Sequence, residues 1–127
     1  MDELLGEFIA ETRETLEPLA GEIVAWEAVP GDRARLDAIF RFVHTVKGSC
    51  GFLDLPRLER LSHAAESALA QVRDGERVPD RRLVSAVLSI IDRIGELVEA
   101  LASDAPMSDG GDEALILALE PGGESGD

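Results

Sequence analysis

Apolar residues recur along most of this chain at alternating spacings of three and four residues, the period of a helix that buries one face. The pattern predicts a first helix from about Asp2 to Trp26. Three further helices are predicted to begin near Arg33, Pro56 and Pro79. Because only short turns separate them, these helices can bury their apolar faces only against one another. The sequence therefore predicts an all-α fold, an antiparallel up-and-down four-helix bundle.

Capping, turn-forming and proline residues set the predicted helix ends. Asp32 is placed to cap the second helix, which we expect to end near Gly51, followed by a turn at FLDLP. Pro18 lies inside the first helix, where it removes a backbone hydrogen bond, so we expect a kink or a split into two helices. The predicted buried stripe of the second helix is Leu36, Ile39, Phe40, Val43, Val46 and Cys50.

The composition changes after the fourth helix, which is predicted to end near Ala102. Residues 1–102 are assigned to the bundle, and residues 103–127, rich in Gly, Asp, Ser and Pro, read as an acidic linker or tail. The exception is the apolar patch ALILAL, Ala114 to Leu119. It is either a short fifth helix at 112–120 that docks on the bundle or an apolar piece of a loose tail.

The distribution of charge along the chain limits the classes of binding partner that are expected. Residues 1–30 hold eight acids and one base (−7), residues 31–102 hold eleven of each (0), and residues 103–127 hold seven acids and no base (−7), which gives the net charge of −14. Nucleic acid and anionic membranes both require basic patches, so neither is expected as the main partner. Apolar runs are too short to span a bilayer, and the acidic N-terminus is unlike a secretory signal. We expect a cytoplasmic protein that binds other proteins.

The stretch HTVKGSCG, residues 44–51, carries the candidate chemistry. Two glycines weaken this helix, and the only lysine of the chain, Lys47, follows His44 by three residues. Helical periodicity places both side chains on an exposed flank beside the buried face. If the second and third helices are antiparallel about a turn near Asp54, Glu66 lies about 3 Å from the level of His44 along the axis. A hydrogen bond between the two is therefore expected.

This arrangement suits a nucleophilic imidazole. A carboxylate that accepts the Nδ1 proton of His44 leaves Nε2 unprotonated and accessible. The Lys47 ammonium could contact anionic oxygens bound to that nitrogen, such as those of a phosphoryl group. Gly48 and Gly51 would then leave bare surface for the backbone of a second protein. Simpler interpretations are that His44 and Lys47 are a solvated surface pair and that the glycines mark tight helix packing.

The run FRFVHTVKGSCGFLDLPRLERLSHAAESAL, with His-x-x-Lys-Gly at residues 44–48, resembles the histidine phosphotransfer (HPt) family, most closely the phosphotransfer domains of chemotaxis sensor kinases. The resemblance covers roughly residues 1–102. It implies that His44 accepts a phosphoryl group from ATP at a histidine kinase catalytic domain and passes it to an aspartate of a response regulator receiver domain. It further implies that Glu66 orients His44, and that Lys47 and His63 are polar neighbours; by spacing alone, His63 is an ordinary exposed histidine.

The resemblance implies a phosphocarrier rather than a complete enzyme. The sequence has no glycine-rich phosphate loop and no acidic pair placed for magnesium, so ATP and Mg²⁺ are expected at the kinase and regulator sites, with no cofactor or metal bound here. We expect the chain to be the first domain of a histidine protein kinase or of its partner. Two alternatives are a non-catalytic adaptor or dimerisation module, and a metal-binding carboxylate bundle. The latter needs inward Glu-x-x-His pairs, whereas His63 precedes Glu66 and points outward.

Overall fold

A computed structural model of the chain describes residues 3–104 and 111–120 and forms five helices there. They are α1 Glu3–Ala28, α2 Arg33–Leu53, α3 Pro56–Arg73, α4 Arg81–Ser103 and α5 Asp112–Leu117. The predicted all-α fold is confirmed. The predicted linker includes residues 105–110 and 121–127, which lie outside the described residues, as does the predicted start of the first helix at Asp2. The boundary between bundle and tail stays a prediction.

The four long helices form a closed ring around one core. Helix α1 packs against α2 and α4, and α3 packs against the same two helices from the opposite side. Short turns make consecutive helices antiparallel, which is the predicted up-and-down bundle. The largest fully buried side chains come from all four helices: Trp26, Ile39, Leu61, Leu69, Leu83, Ile90, Ile94 and Leu97.

Helix α1 is a single helix with Pro18 inside it. The expected split into two helices is therefore wrong, and the expected kink stays a prediction. An interior proline costs a helix about 3 kcal/mol. Thr12 before it, and Leu19 and Trp26 after it, are all buried on the same side. Packing of this continuous face against the bundle outweighs the lost backbone bond.

Helix α2 differs from its prediction in two respects. Phe42 is buried, whereas Phe40 is only partly buried at the edge of the core. The helix also continues past Gly51 to Leu53, so the turn begins at Asp54, which adopts a left-handed conformation (φ 60°) and donates its backbone N–H to the Cys50 carbonyl. At the other end the predicted cap is present, because the Asp32 side chain accepts hydrogen bonds from the first backbone N–H groups of the helix.

Cys50 is fully buried in the core, as predicted. Burial raises the pKa of its thiol to about 12, and the charge of Glu59 acts in the same direction. The thiol is therefore neutral at physiological pH, and its role is packing.

Helix α5 is the short fifth helix that the sequence left as one of two alternatives, and it is shorter than the segment considered there. It packs on α3 and α4 through an ion cluster. Asp112 accepts two hydrogen bonds from Arg57 of α3, at 2.7 and 3.0 Å, and one from Arg93 of α4 at 2.6 Å. The side chain of Asp112 is only 12% exposed. Nearby, Glu113 pairs with Arg60 at 2.6 Å, and both of these side chains are exposed.

We expect Asp112→Asn to lower the free energy of unfolding by about 2 kcal/mol, because it removes the carboxylate charge that two partly buried guanidinium groups share. Hydrogen bonding by Arg57 lowers the pKa of the Asp112 carboxyl below 3.8, against the opposing effect of burial, and Arg93 reinforces the lowering. The stabilisation is therefore complete above about pH 4 and is lost as the pH falls through the lowered pKa. Urea unfolding at pH 7 measures the loss.

Glu113→Gln is the matched control, because it removes one carboxylate from the same helix at an exposed pair. Its effect should be clearly smaller. Equal losses for the two variants would contradict the assignment of the Asp112 cluster as the anchor of α5.

Candidate phosphotransfer site

His44 lies near the middle of α2, on the flank that faces α3 and solvent. Backbone hydrogen bonds on both sides hold its Cα in place, while its side chain is 61% exposed. This position combines a fixed backbone with a ring that a second protein can reach. The exposed location is the one that helical periodicity predicts.

Glu66 of α3 joins His44 and Lys47 into one cluster. One oxygen of its carboxylate, Oε2, is hydrogen-bonded to Nδ1 of His44, and the other, Oε1, lies 2.5 Å from the Lys47 ammonium. The side chain of Glu66 is 12% exposed and that of Lys47 is 30% exposed. The predicted contact between imidazole and carboxylate is present. The functional roles of the three residues stay predictions that the geometry makes testable.

The carboxyl of Glu66 is held in its charged form. Burial by itself would raise its pKa, but hydrogen bonds and charges from Lys47 and His44 together outweigh burial and lower the pKa below 4.5. A carboxylate accepts and does not donate, so Nδ1 of His44 must carry the proton that they share. The lone pair of the neutral ring is then on Nε2, the nitrogen that Glu66 does not contact.

Lys47 differs in one respect from its predicted use. The sequence places its ammonium near oxygens bound to His44, whereas in the structure that ammonium is paired with Glu66. Lys47 is therefore linked to His44 through the carboxylate of Glu66. Its positive charge still lies beside the site, where it lowers the energy of a nearby anion.

The two glycines have different surroundings. A Cβ at Gly48 would meet nothing within 4 Å, so tight helix packing does not explain that glycine. A Cβ at Gly51 would lie 3.2 Å from the flexible Glu59 carboxylate. Both glycines are exposed on the same helix as His44, one and two turns after it. The surface beside the imidazole is therefore bare.

Two residues that the sequence analysis did not assign to the site also lie there. The ring of Phe40, predicted as core, is parallel to the His44 ring, with 6.0 Å between centroids and 8° between planes. The guanidinium carbon of Arg73 lies 4.2 Å from the centroid of Phe40. The four-residue spacing from Phe40 to His44 was the sequence signal that could have shown this contact.

His63, by contrast, is exposed and has no hydrogen bond or ion pair with any described residue.

Comparison with known proteins agrees with this geometry. The family described as "Hpt domain" matches residues 3–104, which include all four long helices and the His44 cluster. The chain belongs to the Hpt domain family. The match ends just after α4, so the α5 segment lies outside it.

This Hpt domain is similar to CheA proteins. It is 31% identical over 108 residues to the chemotaxis protein CheA of Treponema pallidum, which covers 85% of this chain and 13% of that protein. It is 35% identical over 97 residues to CheA of Borreliella burgdorferi, covering 76% of this chain and 11% of that protein. The Hpt domain thus spans only about an eighth of the length of these curated relatives.

A solved structure shares the fold. The phosphorylated P1 domain of CheA3, in complex with CheY6 from R. sphaeroides, superposes on this Hpt domain with a TM-score of 0.79 and 30% identity, over 94% of each chain. The likeness extends beyond the matched family region, because 94% of the chain includes residues after α4.

The rest of the Hpt domain adds two observations. No described helix is long and apolar enough to cross a membrane. Across residues 3–104 and 111–120, no three His, Cys, Asp or Glu side chains gather as a metal site would require.

Proposed function

We propose that this Hpt domain carries a phosphoryl group in chemotaxis signalling, on Nε2 of His44. The observation that carries the proposal is the exposed imidazole whose Nδ1 is held by a charged carboxylate. In the first step the Nε2 lone pair attacks the γ-phosphorus of ATP, the bond from that phosphorus to the bridging oxygen breaks, and ADP leaves. In the second step a receiver aspartate attacks the same phosphorus and the N–P bond breaks.

Glu66 has a defined part in both steps. As Nε2 bonds to phosphorus, positive charge develops on the ring and is shared with Nδ1–H. A carboxylate at Nδ1 stabilises that charge in place, without reorganisation during the reaction. When the phosphoryl group leaves, the ring returns to the neutral Nδ1–H form. The same contact therefore serves both directions of transfer.

The proposed partners are a histidine kinase catalytic domain and a response regulator receiver domain. The names of the similar proteins support this, because they are CheA proteins and one CheA3 P1 domain is phosphorylated and complexed with CheY6. Gly48 and Gly51 would let a partner backbone approach His44. Positioning and charge neutralisation dominate phosphoryl transfer, so ATP and Mg²⁺ would be supplied at the partner sites, in the cytoplasm. His63 is proposed as a neighbour on the partner-facing surface.

The test is incubation of the purified chain with a panel of kinase domains from CheA relatives and radiolabelled ATP. We expect label that is released by acid and retained in base, as for a phosphoramidate, and that is transferred to a CheY-type receiver. A chain that stays unlabelled with every kinase would contradict the proposal and favour the adaptor or dimerisation function.

We expect Lys47→Ala to reduce the initial labelling rate by up to about fivefold, the range of a partly exposed ion pair. The loss is modest because Glu66 stays bound to His44, and because water and salt screen the lost charge. Lys47→Arg, which keeps the charge, is the control. A loss for Lys47→Ala as large as that caused by removing the Glu66 charge would mean that Lys47 acts directly on the phosphoryl group.

A further inference from the structure

We propose that Phe40 and Arg73 are positioning residues for His44, and that their stacked side chains set the plane of its imidazole ring. The inference rests on the proposed function, because it concerns how the same nucleophile is aimed.

Phe40 is placed for this role by α2 itself. It lies one turn before His44 on the same flank, where side chains four residues apart are neighbours. The two rings are parallel to within 8°, with centroids 6.0 Å apart. That is the separation of an offset-stacked aromatic pair, an arrangement that favours parallel planes.

Arg73 restrains Phe40 in turn. Its guanidinium carbon lies 4.2 Å from the centre of the Phe40 ring, within the range of a cation–π contact. The backbone at Arg73 is tied to α2 as well, because Arg33 donates a hydrogen bond of 3.2 Å to its carbonyl oxygen. The last turn of α3 is therefore attached to the first turn of α2, and the stacked guanidinium limits the rotation of Phe40.

The His44 ring needs a second restraint. The hydrogen bond to Glu66 fixes the position of one atom, Nδ1, but a ring that is 61% exposed can still tilt about that atom. Tilting would move Nε2 off the line of attack on phosphorus, and in-line geometry is most of what a carrier contributes. A parallel aromatic surface restricts the tilt, so Glu66 and Phe40 together define the direction of the Nε2 lone pair.

The test compares variants with any kinase domain that labels the wild-type chain. Phe40→Leu keeps an apolar side chain but removes the ring, and we expect kcat for labelling to fall by about three- to tenfold with KM unchanged. Phe40→Tyr keeps the ring and should restore kcat. Arg73→Leu, which leaves Phe40 in place but unrestrained, should lower kcat by a smaller factor. Phe42→Leu, at a buried position that lines the groove between α1 and α2, is the matched control and should leave kcat unchanged.

NMR of the same variants gives a readout that needs no kinase. In Phe40→Leu the three-bond couplings that report χ1 of His44 should move toward averaged values, while the ¹⁵N shifts still show the Nδ1–H tautomer held by Glu66. Wild-type couplings and kcat in Phe40→Leu, or a kcat loss that Phe42→Leu shares, would overturn the inference. If no kinase labels the wild-type chain but the His44 couplings still change in Phe40→Leu, the proposed function is contradicted and the positioning role of Phe40 is not.

Discussion

Replacing His44 with Gln is expected to reduce phosphoryl labelling to background while the bundle stays folded. The amide of Gln has no nucleophilic lone pair, so no N–P bond can form. The side chain is mostly exposed and contributes nothing to the core, so helical content by circular dichroism should match the wild type. The measurement is the initial rate of label incorporation from radiolabelled ATP with a CheA kinase domain.

The same substitution at His63, the only other histidine, is the comparison for this result. His63 lies outside the cluster of His44, Glu66 and Lys47, so His63→Gln should still be labelled. A slower rate in that variant would support the role of polar neighbour that the family resemblance implies. Acid-labile phosphate retained on His44→Gln would refute the assignment of the phosphoacceptor.

Glu66→Gln is expected to slow labelling by about ten- to hundredfold without abolishing it. This is the range for groups that orient a histidine by a hydrogen bond to its non-reacting ring nitrogen. The amide has nearly the size of the carboxylate but lacks its charge, so it cannot stabilise the developing imidazolium. It can also donate a hydrogen bond to Nδ1, which favours the wrong tautomer. Glu99→Gln is the control. It removes a carboxylate of α4 that accepts two hydrogen bonds from Arg13 of α1, far from His44. Equal rates for wild type and Glu66→Gln would show that the carboxylate is not needed.

The pH dependence of this effect follows from the lowered pKa of Glu66. Because the folded-state pKa lies below 4.5, the carboxylate stays charged as the pH falls toward that value. Its contribution to the site is lost only as the pH drops through that lowered pKa. Glu66→Gln should therefore remain slower than the wild type over the whole range from pH 8 to about pH 5.

Much of the fold follows from periodicity, and the errors have physical causes. Phe40 was assigned to the core and Phe42 was left out of it, because α2 packs against both α1 and α3 and its buried face is wider than one heptad stripe. The helix passes Gly51 because Asp54, and not the glycine, adopts the left-handed conformation that ends it. A split of α1 at Pro18 was one of the two expected outcomes, but α1 is continuous because tertiary packing exceeds the local penalty.

The central contact of the site was predictable, whereas its surroundings were not. A short turn fixes the register of an antiparallel helix pair, and register alone brings His44 to Glu66. The placement of Lys47 and Arg73 depends on the rotamers of long, flexible side chains, on which periodicity gives no information. The anchor of α5 needs Arg57 and Arg93 from two different helices to converge on Asp112, which only the tertiary structure reveals.

The most direct test is to locate the phosphorus in the phosphorylated chain by ³¹P–¹⁵N coupling in NMR. An imidazole held at Nδ1 by Glu66 predicts that phosphorus is bonded to Nε2 of His44 and that Nδ1 remains protonated. Phosphorus on Nδ1, or on any residue other than His44, would contradict the account.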